Sequence, residues 1–161
     1  MSFHMRRKDK EITDPSVMKK ILKAVKYVTL AMAMDDQPYL ISLSCGYDEK
    51  GNCLYFHCAK EGKKFAYLKA NNTVWGQALL DHGYIQGECD HKFASVHFKG
   101  RVTFLSESEE KLHAIRTMIR QLDRDPDALI SKLKPERLEA ALIGRIDIEL
   151  MTGKKTKELT I

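Results

Sequence analysis

Nowhere does the chain carry the run of roughly 20 apolar residues that a membrane-spanning helix needs. Its opening, MSFHMRRKDKEITDP, is charged and lacks the apolar stretch of a secretory leader; Met5 offers an alternative start. Those two lacks predict a cytoplasmic protein with no membrane partner. Cysteine is sparse: Cys45, Cys53, Cys58 and Cys89 form no CxxC pair, and their spacing fits no zinc pattern, so no metal site is expected. Reduced thiols packed as small core residues are the expectation, with alternation placing Cys53 and Cys58 on opposite faces of one strand. Charge of one sign is also scarce. With 27 basic against 22 acidic residues the net charge is only +5, partly from the tail GKKTKE. No basic stripe or recognisable module accompanies it, which sets nucleic acid aside as a partner. A small anionic ligand is the better use for a local basic corner.

What is present is a globular chain. Its 161 residues, 43% of them apolar, are enough for one core. The expectation is a single domain over 1–161, with 1–13 as an extended or flexible arm. Asp14-Pro15-Ser16 reads as a helix start, and Val17, Ile21, Ala24, Val25 and Val28 follow at helical spacing. Val28–Met34, Tyr39–Tyr47 and Cys53–Ala59 read as three strands joined by the turns DDQP and DEKGN, an antiparallel meander. EGKKFAYLKANN reads as a short helix with Phe65 and Leu68 on its apolar side, TVWGQALLD as a strand, and HGYIQGECDHK as a loop. FASVHFKGRVTFLS is the clearest strand: Val96, Phe98, Val102 and Phe104 alternate with Ser95, His97, Lys99, Arg101 and Thr103. A helix follows, with a capping box from Ser106 to Glu109 and a buried stripe of Leu112, Ile115, Ile119 and Leu122. PERLEAAL gives one more helical piece, and LIGRIDIELMTGK a last strand. About six strands with peripheral helices, mainly β and antiparallel, suggest a small closed barrel.

The stretch LYFHCAKEGKKF carries the candidate chemistry. A strand ends in His57 and Cys58, and Glu61-Gly62-Lys63-Lys64 opens a helix whose free N–H groups suit an anion. Two lysines in a first turn oppose the helix dipole, which favours acidic residues there; a bound phosphate would offset that. Solvated surface lysines would read the same way. His57 shares a face with Tyr55 and Cys53, a position that suits either a packed strand residue or a proton donor.

The ordered set MRRKDKEITD, PYLISLSCGYDEKG, LYFHCAKEGKK, KGRVTFLSESEEK and IDIELMTGK resembles the pyridoxamine 5′-phosphate oxidase-like split-barrel flavoproteins. Within them the chain is most similar to the group related to Nim-type nitroimidazole-resistance proteins. The resemblance implies a six-stranded antiparallel split β-barrel that dimerises, with FMN at the interface. It further implies that Ile41, Ser42, Leu43 and Ser44 lie along the flavin and that Phe56, His57 and Cys58 line its polar edge. Gly62, Lys63 and Lys64 would hold its phosphate, and Ser95 would add a contact. Leu40 stands where the oxidase itself carries a basic residue, and that enzyme's substrate-binding tail is not evident, which argues against pyridoxamine-phosphate oxidation. The implied activity is transfer of electrons from NAD(P)H through FMN to a small acceptor, a nitroaromatic among the candidates, with His57 as proton donor. A flavin- or haem-binding protein without turnover is the alternative on the same fold.

Overall fold

The computed structural model describes residues 5–161, the side chains of 137 and 138 aside; residues 1–4, ahead of Met5, lie outside it. A single 3-10 turn at Lys8–Lys10 leads into β1 (Glu11–Ile12) and helix α1 (Pro15–Ala24). Asp14 caps α1 by accepting the amide of Ser16 at 2.8 Å, with Pro15 at the first helical position. The helix buries Met18, Ile21 and Leu22. The expected periodicity ran further than the helix does: Val25 is already its C-cap, and Val28 belongs to the next strand.

Seven more strands follow: β2 (Tyr27–Met34), β3 (Gln37–Ser44), β4 (Gly46–Asp48), β5 (Cys53–Cys58), β6 (Thr73–Ile85), β7 (Asp90–Phe104) and β8 (Leu142–Lys155). Helix α2 (Lys63–Ala70) lies between β5 and β6, and α3 (Ser108–Leu122), α4 (Pro126–Ile130) and α5 (Pro135–Ala140) lie between β7 and β8. The strands form one antiparallel sheet in the order β3-β2-β6-β7-β8-β5-β4, with β1 added to β8. The architecture is thus mainly β with peripheral helices, a split barrel of eight strands. It differs from the sequence expectation in strand count and in closure. No hydrogen-bonded ladder joins the edges β3 and β4 among the described residues; the chain itself joins them through Cys45. The expected meander fails for the same reason. The stretch read as one strand over Tyr39–Tyr47 changes partner midway, pairing first with β2 and then with β5. Pro38 suits its place on an edge strand, where the missing N–H is not needed by a second neighbour.

The inner face of the sheet holds the main core, including Leu30, Leu54, Phe56, Val74, Val96 and Phe98 with α1. A second, smaller cluster sits between β5 and α3: Cys53, Tyr55, Ala114, Met118 and Ile143. β5 is therefore covered on both sides, and Cys53 through Phe56 are all buried. Helix α3 comes close to β4 because Gly46 presents no side chain there. A Cβ on Gly46 would stand 2.6 Å from the backbone N and Cα of Met118. Gly46→Val is expected to push α3 off the sheet and destabilise the fold by about 1–3 kcal/mol, measured as a lower denaturant midpoint. An unchanged midpoint would show that α3 does not press on β4.

Three local expectations are corrected. The segment HGYIQGECDHK is mostly strand, extending β6 and β7 into a long hairpin with a register shift between Asp81 and Tyr84. The capping box does not form; Glu107 is the N-cap, and Ser106 Oγ donates to the Glu107 carboxylate instead. The most buried residues of α3 are Ala114 and Met118, while Leu112, Ile115, Ile119 and Leu122 are only half-buried.

Candidate functional site

The partner change at Cys45 makes a fork. The β4–β5 ladder pairs Asp48 with Cys53 and Gly46 with Tyr55; carried two residues further it would set Ser44 opposite His57. Pairing stops instead. Ser44 pairs with Tyr27 of β2, while β5 keeps β8 on its other edge, His57 opposite Ile143, and loses its partner on this one. Ile41–Ser44 form one prong and Phe56–Cys58 the other, so the two strand segments singled out from the sequence flank one opening. Helix α2 begins beside both prongs. Lys63 Nζ stands 4.7 Å from the ring centre of Tyr39, and Lys64 Nζ 5.9 Å from that of Phe56.

The start of α2 is open. Gly62 has φ +102°, a left-handed conformation that glycine adopts without strain, and a Cβ built there would meet nothing within 4 Å. The first intrahelical bond runs from the Ala66 amide to the Gly62 carbonyl, so the amides of Lys63, Lys64 and Phe65 are left for an outside acceptor. No acidic residue occupies this first turn. Free N–H groups and two ammonium groups at one corner are chemistry suited to a phosphate.

Alternation sorts the prongs into two sides. Ile41 and Leu43 are half-buried against the main core, with Phe56 and Cys58 on the same inner side. Burial pushes the Cys58 thiol above its usual range, with nearby Lys64 opposing, and pushes Cys45 up to about 12. Both are packing residues rather than thiolates at neutral pH. Cys53 and Cys58 fall in different clusters, as alternation required. Ser42, Ser44 and His57 are exposed on the outer side. His57 faces α3 with Tyr55 and lines a cavity of about 530 Å³ bounded by Ile115, Ile119, Leu122 and Leu142.

The outer sheet surface next to the fork carries residues that the sequence reading did not assign. Thr29 Oγ1 lies 2.9 Å from Ser42 Oγ, and the Gln77 amide donates to His97 Nε2 at 3.0 Å. The strand register sets Ser42, Thr29, Gln77 and His97 in one row across β3, β2, β6 and β7. A neighbouring row holds Leu40, Ala31 and Trp75, with Leu40 65% and Trp75 47% exposed. Ser95 is not at the fork: it is buried on β7, three strands from β3, its Oγ 3.5 Å from the Lys154 carbonyl. The polar face of β7 was visible in the sequence and contained His97; its partners Gln77 and Thr29 could be found only through register. Among the described residues no group of His, Cys, Asp or Glu could hold a metal, and no helix is long and apolar enough to cross a membrane.

The profile of the family described as pyridoxamine 5′-phosphate oxidase matches residues 14–155. No curated protein matches the sequence. Among solved structures, a candidate 5-nitroimidazole antibiotic resistance protein from Bacteroides thetaiotaomicron VPI-5482 is 23% identical with a TM-score of 0.76, covering 89% of this chain and 85% of its own. The flavocytochrome Anf3 from Azotobacter vinelandii is 18% identical with a TM-score of 0.79, over 95% and 72% of the two chains. An FAD and haem binding protein from Mycobacterium smegmatis is 14% identical with a TM-score of 0.78, over 94% and 76%. At these identities the structural likeness concerns the fold.

Proposed function

The chain belongs to the pyridoxamine 5′-phosphate oxidase family, and from that premise we propose that it binds FMN and passes electrons from NAD(P)H to a small acceptor of the nitroaromatic kind. The observation that carries this reading is the fork itself: a phosphate-suited helix start placed between two strand prongs, beside a flat surface of mixed apolar and hydrogen-bonding groups. From Tyr39, where Lys63 stands, β3 runs about 17 Å to Ser44 at ~3.4 Å per residue, enough to lie along a molecule with a phosphate at one end and a ring at the other. Lys63, Lys64 and the α2 amides would hold the phosphate. The backbone of Ile41–Ser44 would run beside the ring, and Ser42, Thr29, Gln77 and His97 offer it hydrogen bonds. Bound FMN would supply the hydride-accepting and electron-passing chemistry. His57, exposed on the outer side, would move the proton.

The cofactor site is completed in this reading by a second copy of the chain. Tyr27, Leu40, Trp75, Leu79 and Leu150 are all at least 46% exposed on the described structure, large apolar side chains of the kind that mark an interaction surface. A homodimer packed on this surface would cover them and exclude water from the ring. The test is the spectrum and size of the purified protein. Flavin absorbance bands in a particle of two chains are expected. A Soret band without flavin bands would replace this reading with haem binding, and a flavin-loaded monomer would overturn the interface.

A further inference from the structure

The cavity beside His57 has a use of its own. It lies between the end of β5, the start of β8 and helices α3 and α4, and at about 530 Å³ it is the size of a small-molecule site. Its body is apolar, built by Ile115, Ile119, Leu122 and Leu142. Its polar groups are Lys60, His57 and Asp123. The Asp123 carboxylate already accepts the amide of Asp125 at 2.9 Å. Lys60 and His57 make no side-chain hydrogen bond or ion pair with the described residues, and both are exposed. The unpartnered donors are the Lys60 ammonium and the His57 imidazole, at one side of an apolar chamber whose lining also includes the Asp123 carboxylate.

We infer that this cavity binds a small aromatic molecule bearing one anionic or strongly hydrogen-bond-accepting group. The rings lie among Ile115, Ile119 and Leu142, and the acceptor group meets Lys60 and the His57 imidazole. The reaction reading enters in one respect: this occupant would be the electron acceptor. The last turn of α3, which lines the cavity, is also tied to β4 and to the segment ahead of β2. Gln121 in the last turn of α3 accepts the Tyr47 amide and donates to the Val25 carbonyl, two residues before Tyr27, the partner of Ser44. Leu122 and Asp123, next in the chain, line the cavity.

The test titrates 8-anilinonaphthalene-1-sulfonate, an aromatic anion, into the full-length protein and reads fluorescence. One probe per chain is expected. Ile119→Trp, which fills the chamber, should weaken binding at least about tenfold. Lys60→Glu should weaken it at least about tenfold, yet leave the uncharged N-phenyl-1-naphthylamine bound as before. Unchanged binding by folded Ile119→Trp would overturn the site. Should that variant not fold, the exposed Lys60→Glu substitution decides alone, since equal affinity for the anionic probe before and after it would overturn the assignment. Loss of binding in Trp75→Ser would place the probe on the outer sheet and overturn it as well. Flavin content, read separately by absorbance, keeps a failure here distinct from a failure of the cofactor reading.

Discussion

Lys63→Glu combined with Lys64→Glu is expected to weaken FMN binding by at least about tenfold and to leave riboflavin binding nearly unchanged. A charge-assisted hydrogen bond is worth about 1.5–3 kcal/mol, and about 1.4 kcal/mol is a factor of ten. Riboflavin lacks the phosphate and therefore reports everything except that contact. The helix dipole does not oppose the substitution, because glutamate in a first helical turn is favoured where lysine is not. Neither lysine has an acidic partner among the described ion pairs; each ammonium rests instead over an aromatic ring, Tyr39 for one and Phe56 for the other. Lys63 is exposed and Lys64 half-buried, so salt should screen the first contribution more than the second. Isothermal titration with both flavins measures the difference. Equal losses for the two would show that the lysines do not touch a phosphate.

The sequence showed most where one face of an element is buried and the other is not. β7 is such an element, and its alternation of Val96, Phe98 and Val102 with His97, Lys99 and Arg101 survives almost intact in the burial of the folded strand. The turn read over DDQP is present but shorter: Asp35 and Asp36 take positive φ in a two-residue hairpin, and Gln37 and Pro38 already belong to β3. Legibility failed where two faces are covered at once. β5 reads as half-buried, but Cys53 and Tyr55 are enclosed by α3 just as Leu54 and Phe56 are by the barrel. It failed again in the β6–β7 hairpin, whose outer half has no core to face. Polar residues there carry no period, and Gly83 and Gly87, both at positive φ, read as loop signals.

The candidate site was legible in its parts and hidden in its assembly. Lys63, Lys64, His57 and Ile41–Ser44 could be picked out along the chain, yet nothing in the string marks Cys45 as the point where a strand leaves one partner for another. That single change opens the fork and brings separate motifs to one place. The cavity was less visible still. Its walls come from β5, α3, α4 and β8, so its apolar lining reads locally as ordinary helix stripe; Ile115, Ile119 and Leu122 were assigned to the core and instead lie half-exposed around it.

His57→Ala is expected to leave flavin bound and to lower electron transfer per bound flavin by about 10²–10⁴-fold, the usual contribution of a positioned proton donor. The structure separates this outcome from simple unfolding. Its neighbours Tyr55 and Phe56 are buried while His57 is exposed, and its side chain has no hydrogen-bond partner among the described residues. Truncation of such a surface group changes stability by a few tenths of a kcal/mol, too little to explain a large kinetic loss. His57→Gln keeps a hydrogen-bonding group of similar reach that does not titrate; it should hold a ligand in the neighbouring cavity and still transfer electrons slowly. If the imidazole were instead only a packing element of β5, thermal stability and flavin retention would fall together in His57→Ala, with turnover per flavin near normal. A normal rate per bound flavin in His57→Ala would remove His57 from the mechanism.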